Sequence, residues 1–331
     1  MFTQSLYLLT TRPIPTEELE RYLHKFPLLG VTPASPDSHW AVSNAAWVLA
    51  YDENDRGRIL VDSVSERYPD RFDQDGHKAL FSAWSMGSLG PAIYPGALER
   101  GGTQAWVWKK AGDAVRGHAG FIRLRMAYEP DPENEGLPER EPVDELLALS
   151  RVAYALLEMD GVRCYFNPNG EAVRPAAFVW QAMDFHKAEG VLPLDIWTNV
   201  RFGKITTTAV KAAANPADPS ATWTMMDSVG MGQLNCPDVE VAYPSDTHTI
   251  EAEEIKHRQE VDEFIRNLLD HIIEQGGDVF DDGDMVNGPG GVDWQMFRTT
   301  ALGAPPRAVL RIVPHGVELP DKVKGKRKTD A

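Results

Sequence analysis

Apolar and polar positions along the chain repeat with two periods. Alternation of period two predicts strands at "SLYLLT" (5–10), "HWAVSNAAWVLAYD" (39–52), "GRILVDSV" (57–64) and "AGFIRLRMAYE" (119–129), the last with Phe121 and Ile122 as candidate core positions. A period near 3.6 predicts helices. The first covers 15–26, where Pro15 suits the opening turn and Glu17, Glu18 and Glu20 suit its positive end. A second covers about 103–116. "PVDELLALSRVAYALLEMDG" puts Leu146, Leu149, Ala153, Leu156 and Leu157 on one face, starts on Pro142 and stops at Gly161. "VRCYFN" then reads as a strand, "NPNG" as a turn and "RPAAFVWQAMDFH" as a helix, and "LPLDIWTNVRFGKI" (192–205) closes a β–α–β unit. The longest pattern, over 249–277, keeps Ile255, Val261, Phe264, Ile265, Leu268, Leu269, Ile272 and Ile273 in helical phase, with Thr249 as N-cap and Gly276 as terminator. "QMFRTTALG" and "RAVLRIVP" read as two final strands around "APP".

Together these elements predict an α+β fold. Mixed or antiparallel sheets carry helices on one face, with β–α–β units and two related halves. "EPDPENEGLPEREP" (129–142) is acidic, holds four prolines and has one large apolar residue, which marks it as an exposed connection. The division that follows is an N-terminal half over 1–130, a connection over 131–141, a C-terminal domain over 142–316 and a basic tail over 317–331.

Composition narrows the class. With 331 residues, 43% hydrophobic and 25% charged, the chain has the makeup of a folded protein with room for two cores. The net charge of −16 and the pI near 5.0 repel a phosphate backbone, so nucleic acid is not an expected partner and a basic protein is. One local exception is the ending "DKVKGKRKTDA", whose five basic residues and two aspartates leave +3 against −19 elsewhere, and which reads as a solvated tail. Two cysteines, Cys164 and Cys236, are too few for a disulfide framework or a multi-cysteine zinc site. The opening "MFTQSLYLLTTRPIP" lacks the basic n-region of a secretory signal. No run of roughly 18 apolar residues is present, so the expectation is a cytoplasmic protein without a membrane partner.

Several stretches suggest chemistry. "AWSMGS" (83–88) places Ser85 in an A-x-S-x-G frame like the esterase nucleophile elbow, with "KALFSAW" as the strand that motif requires; Pro91 and Pro95 would break the helix that must follow. Its acid and base would have to be residues such as Asp227 and His271. Glu254 and His257 form one E-x-x-H step, where a di-metal site needs two such steps and two further glutamates. "GDVFDDGDMVNGPGG" (277–291) gathers Asp278, Asp281, Asp282 and Asp284, yet Phe280 and Pro289 break the EF-hand frame. Gly230 and Gly232 make a lone G-x-G, and His118 sits between a helix and a strand, where a histidine serves as a site base or as a buried, satisfied group. No cofactor or metal follows from these patterns.

The order of "GVRCYFNPNGEAVRPAAF", "LPLDIWTNVRF", "MMDSVGMGQLNCPDVEV" and a long acidic helix resembles an uncharacterised bacterial family, domain-of-unknown-function family 4261. Met226, Asp227 and Gly230 match its M-D-T-L-G-like segment, with Ser228 and Val229 replacing Thr and Leu; Pro237, Asp238 and Glu240 match its G-x-P-D/E-like turn, while Asn235-Cys236 departs from it. The resemblance spans about 145–312 and brings no catalytic residue. It implies a soluble bacterial protein from the milieu of toxin and immunity modules, where acidic proteins mask partners. The expected function is therefore non-enzymatic protein binding, with Asp227, Gly230, Asp238 and His118 as candidate binding residues; the rival is a serine hydrolase using Ser85. Gly230 and Gly232 read as turn positions and Pro237-Asp238 as the entry to strand "VEVAY". A buried Asp227 would be structural and an exposed one a recognition group.

Overall fold

The computed structural model describes residues 2–35, 38–51, 56–73, 78–129, 140–205, 222–245, 251–277 and 279–324. The chain forms two compact units, Met1–Asn199 and Val200–Ala331.

The first unit contains β1 (Phe2–Thr10), α1 (Thr16–Leu23), β2 (Leu28–Thr32), β3 (Ala46–Ala50), β4 (Gly57–Val64), α2 (Lys78–Ser85), α3 (Ala97–Thr103), α4 (Ala111–Arg116), β5 (Gly120–Tyr128), α5 (Pro142–Leu156), β6 (Val162–Asn167), β7 (Ala172–Arg174), α6 (Ala176–Glu189) and α7 (Leu194–Trp197). Its seven strands form one antiparallel sheet in the order β2-β3-β4-β5-β1-β6-β7. Both faces of β1 are buried, so its apolar run is nearly continuous. Tyr7 and Leu9 point into a cluster with Phe121, Phe166, Leu80, Ala83, Leu98, Ala111 and Ala114, which places α2, α3 and α4 on that face. Leu6 and Leu8 alternate with them and face the other way. That side holds α5, which packs on β1. Helices therefore cover both faces of this sheet, where the sequence pattern placed them on one.

The second unit contains β8 (Asn199–Ile205, beginning on the last residue of the first unit), β9 (Thr222–Val229), β10 (Asp238–Ser245), α8 (Glu251–Glu274), β11 (Met285–Asn287), β12 (Asp293–Thr300), β13 (Ala308–Pro314) and α9 (Asp321–Lys324). The sheet order is β11-β12-β13-β10-β9-β8, and β10 and β13 are parallel neighbours joined through α8, β11 and β12. Val261, Ile265, Leu268, Leu269 and Ile272 form the buried stripe of α8, which packs on β9 and β10. Each such side chain is worth about 2 kcal/mol relative to exposure. The opposite sheet face carries Ile205, Trp223, Met225, Ala242, Phe297, Val313 and Val323.

Three expectations change. The acidic stretch 131–141 does not separate two domains, because β5 before it and β6 after it both pair with β1. Most of that stretch, like residues 325–331 of the tail and Thr249, lies outside the described residues. Strands β6 and β8 lie in different sheets, so 162–205 is no β–α–β unit; the connection between parallel neighbours runs instead from β10 through α8, β11 and β12 to β13. The two sheets also differ in topology, one antiparallel throughout and the other with a parallel pair, so the halves do not repeat one plan.

Candidate functional site

Residues 225–244 prove to be strand for most of their length. β9 and β10 form a hairpin closed by a 3-10 turn at Met231–Leu234. Gly230 enters the turn at φ 125° and Asn235 leaves it at φ 59°, so the left-handed positions are Gly230 and Asn235. Gly232 is not one of them, and an added Cβ there would meet nothing within 4 Å. The sequence pattern singled out Gly232 and missed Asn235.

Across the sheet face away from α8 runs a row of charged side chains from β8, β9, β10 and β13. Glu240 on β10 stands opposite Asp227 on β9 and opposite Arg311 on β13. Arg201 of β8 grips Asp227 with two bonds, Nε to Oδ1 at 3.1 Å and Nη2 to Oδ2 at 2.5 Å. Arg307, from the connection between β12 and β13, donates to Asp227 Oδ2 at 2.6 Å, to the Ser228 carbonyl at 2.6 Å and to Asp238 Oδ2 at 2.9 Å. Asp238 Oδ1 accepts from the Ser228 hydroxyl (2.9 Å) and the Met231 amide (3.1 Å). Glu240 accepts from Arg311 Nε (2.6 Å) and the Leu302 amide (2.8 Å), and Arg311 reaches the carbonyls of Thr300 and Val323.

Asp227 and Glu240 are fully buried and Asp238 nearly so. Burial pushes the carboxyls of Asp238 and Glu240 up, against the pull of Arg307 and Arg311. Burial also works to lower Arg307, but Asp238 and Asp227 carry it above its ordinary value. Three carboxylates meet three guanidiniums, so the cluster is neutral. Its bonds clamp residues 300–307 to the sheet, and Asp227 and Asp238 are structural groups facing the core.

The other sequence candidates scatter. Ser85 ends α2, so no strand precedes it; "KALFSAW" is helical because it packs Leu80 and Ala83 against the sheet. The Ser85 hydroxyl donates to the Ser82 carbonyl at 2.9 Å, and Asp227 and His271 belong to the other unit. The nucleophile-elbow geometry is absent. His118 is buried; Nδ1 donates to the Val115 carbonyl and Nε2 accepts the Tyr68 amide at 2.9 Å. Both nitrogens are thus engaged, and burial lowers the pKa of the ring, keeping it neutral. Glu254 pairs with Arg258 while His257 stands edge-on to Tyr243, 4.8 Å between centroids, so the E-x-x-H step does not converge. Asp284 and Asp282 accept the Asp281 and Arg298 amides, which builds the turn; Asp278 lies outside the described residues. Among the described residues no three metal-ligating side chains come together, and no helix is long and apolar enough to cross a membrane.

Sequence reasoning missed Arg201, Arg307 and Arg311. The available signal was a single charge interrupting each apolar strand, as in "VEVAY" and "AVLRIVP". Fold and site together define an α+β protein of two open-sheet units with charged rows inside. No family model, curated protein or solved structure matches the chain.

Acidic residues concentrate in one stretch of the chain. Residues 251–293 hold thirteen acids against three bases, a net −10 of the chain's −16. Lys256, Arg258 and Arg266 each pair with an acid on α8, Glu260, Glu254 and Asp262. Glu253, Glu263 and Glu274 face solvent, and Ile255, Met285 and Val292 lie exposed within the same stretch.

Proposed function

We propose that this is a soluble, cytoplasmic bacterial protein that acts without catalysis, by binding a basic protein partner through α8 and the acidic turn that follows it. One observation carries this reading: charge is concentrated over 251–293 while the acids first suspected of chemistry, Asp227 and Asp238, are consumed inside the fold. Concentrated charge steers an oppositely charged partner, and exposed apolar groups inside a polar surround give it something to bury against. The resemblance to domain-of-unknown-function family 4261 and its implied masking role point the same way, since they bring no reaction.

Affinity capture with the wild-type chain and with a Glu253→Lys/Glu263→Lys/Glu274→Lys variant tests it. A basic partner held at low salt should bind the variant about ten-fold or more weakly. Capture of the same partner undiminished by the three reversals, or no basic partner at any salt, refutes the proposal.

A further inference from the structure

The first unit also buries a row of charge, and there the sum does not close. Asp62 on β4, Arg123 on β5 and Tyr7 on β1 are successive cross-strand partners, and Arg125 stands two residues along on the same face. Arg123 binds Asp62 through Nε (3.0 Å) and Nη2 (2.9 Å), and Arg125 binds it through Nη2 (3.1 Å). The side chains of Asp62 and Arg123 are fully buried and that of Arg125 is 4% exposed. Asp62 is the one carboxylate paired with either arginine among the described residues, so the cluster carries +1.

Titration does not remove that charge. Burial, and then Arg123, lower Arg125 to about 10, which leaves it protonated at neutral pH. Burial raises Tyr7 to about 12 and Tyr68 well above its ordinary value, so neither phenol supplies a negative charge. Asn44 adds a neutral amide on Asp62, and the carbonyls of Trp40, Ala41 and Ser88 add only dipoles. Beside Arg125 two buried donors also have no hydrogen-bond partner, its own Nε and the hydroxyl of Ser5 directly opposite it across β1–β5; on the same face Trp40 Nε1 and the Tyr68 hydroxyl are likewise unpaired. Gly90 packs on Ser5, so near that its Cβ would stand 2.0 Å from Ser5 Oγ.

We propose that this cluster binds one small monovalent anion, a halide or an ion of similar size, beside Arg125 Nε and Ser5 Oγ. An anion cancels the buried surplus and accepts from the two free donors, and the close approach of Gly90 restricts the site to small ions.

Crystals of the full chain grown with bromide should show an anomalous peak within bonding reach of Arg125 Nε. In solution, chloride or bromide should stabilise the protein over gluconate at equal ionic strength. The folded-to-unfolded ratio should rise about a hundred-fold at a hundred times Kd. Ser5→Ala should weaken that gain and Arg125→Met abolish it; if Arg125→Met does not fold, Ser5→Ala with the diffraction peak decides. Bromide confined to exposed side chains, equal stability in halide and gluconate, or a halide gain unchanged by these substitutions overturns the proposal.

Discussion

Replacing Asp227 with alanine tests whether the row on the second sheet is a closed ionic structure. The substitution leaves Arg201 and Arg307, whose side chains are 6% and 11% exposed, without the carboxylate that takes three of their bonds. Removing one partner of a buried pair costs about 3–5 kcal/mol, because the stranded charge cannot recover its hydration. With a urea dependence of about 2 kcal/mol per molar, the midpoint should fall by about 2 M. Adding Arg201→Met to Asp227→Ala removes one stranded cation, so the double variant should lose less than the two single losses added together. Urea unfolding followed by tryptophan fluorescence reads all three variants. A loss under about 1 kcal/mol for Asp227→Ala is the value of an exposed pair. That result, or strict additivity in the double variant, would mean that Asp227 is not held as described.

Gly90→Ala should destabilise by about 2–4 kcal/mol, since φ is 130° and the new methyl meets Ser5, while Gly232→Ala should change stability by no more than about 0.5 kcal/mol; thermal melts compare them. His118 is held neutral, its pKa below the ordinary 6.5, so its contribution is complete above about pH 6.5 and is lost as pH falls through the depressed value. Stability curves of the wild type and of His118→Phe between pH 7 and 5 should differ in slope, the variant being flatter. A fluorophosphonate probe should leave the protein unlabelled, with no difference between the wild type and Ser85→Ala in mass spectra, because Ser85 ends a helix and is bonded to Ser82.

The long periodic elements were legible in the sequence. α5 begins on Pro142 and α8 keeps its stripe from Val261 to Ile272, because each buries one face and leaves the other to water. Legibility failed where that contrast was missing. β2, "LLGVT", is an edge strand with Leu29 and Val31 exposed, so no polar alternation marks it. Of the helix expected over 103–116 only the end forms, as α4; α3 stops at Thr103, and the turn between them leaves Trp106 and Val107 in solvent. β9 carries no strand signal because both of its faces are buried, one under α8 and the other the face that bears Asp227, and Met225 and Met226 conceal the period. Asp227 and Asp238 stood out in the sequence as candidate binding residues, but their orientation depends on arginines 26 and 69 positions away.

The two charged rows also show why position alone misleads about function. Each sheet threads charges through apolar strands, and each row is dry enough that an unmatched charge costs several kcal/mol. On the second sheet Arg201, Arg307 and Arg311 answer Asp227, Asp238 and Glu240, so nothing further is needed and the arrangement fixes register. On the first sheet Arg123 and Arg125 share Asp62 alone among the described residues. Chemistry follows the residual: a balanced cluster has no free valence to offer a ligand, whereas an unbalanced one must draw its counter-charge from outside the chain. The stretch around Asp227, conspicuous in sequence, is therefore the closed case. The "IRLR" of β5 is the open one, and its isolated, evenly spaced arginines give no sign in sequence of how many carboxylates will meet them.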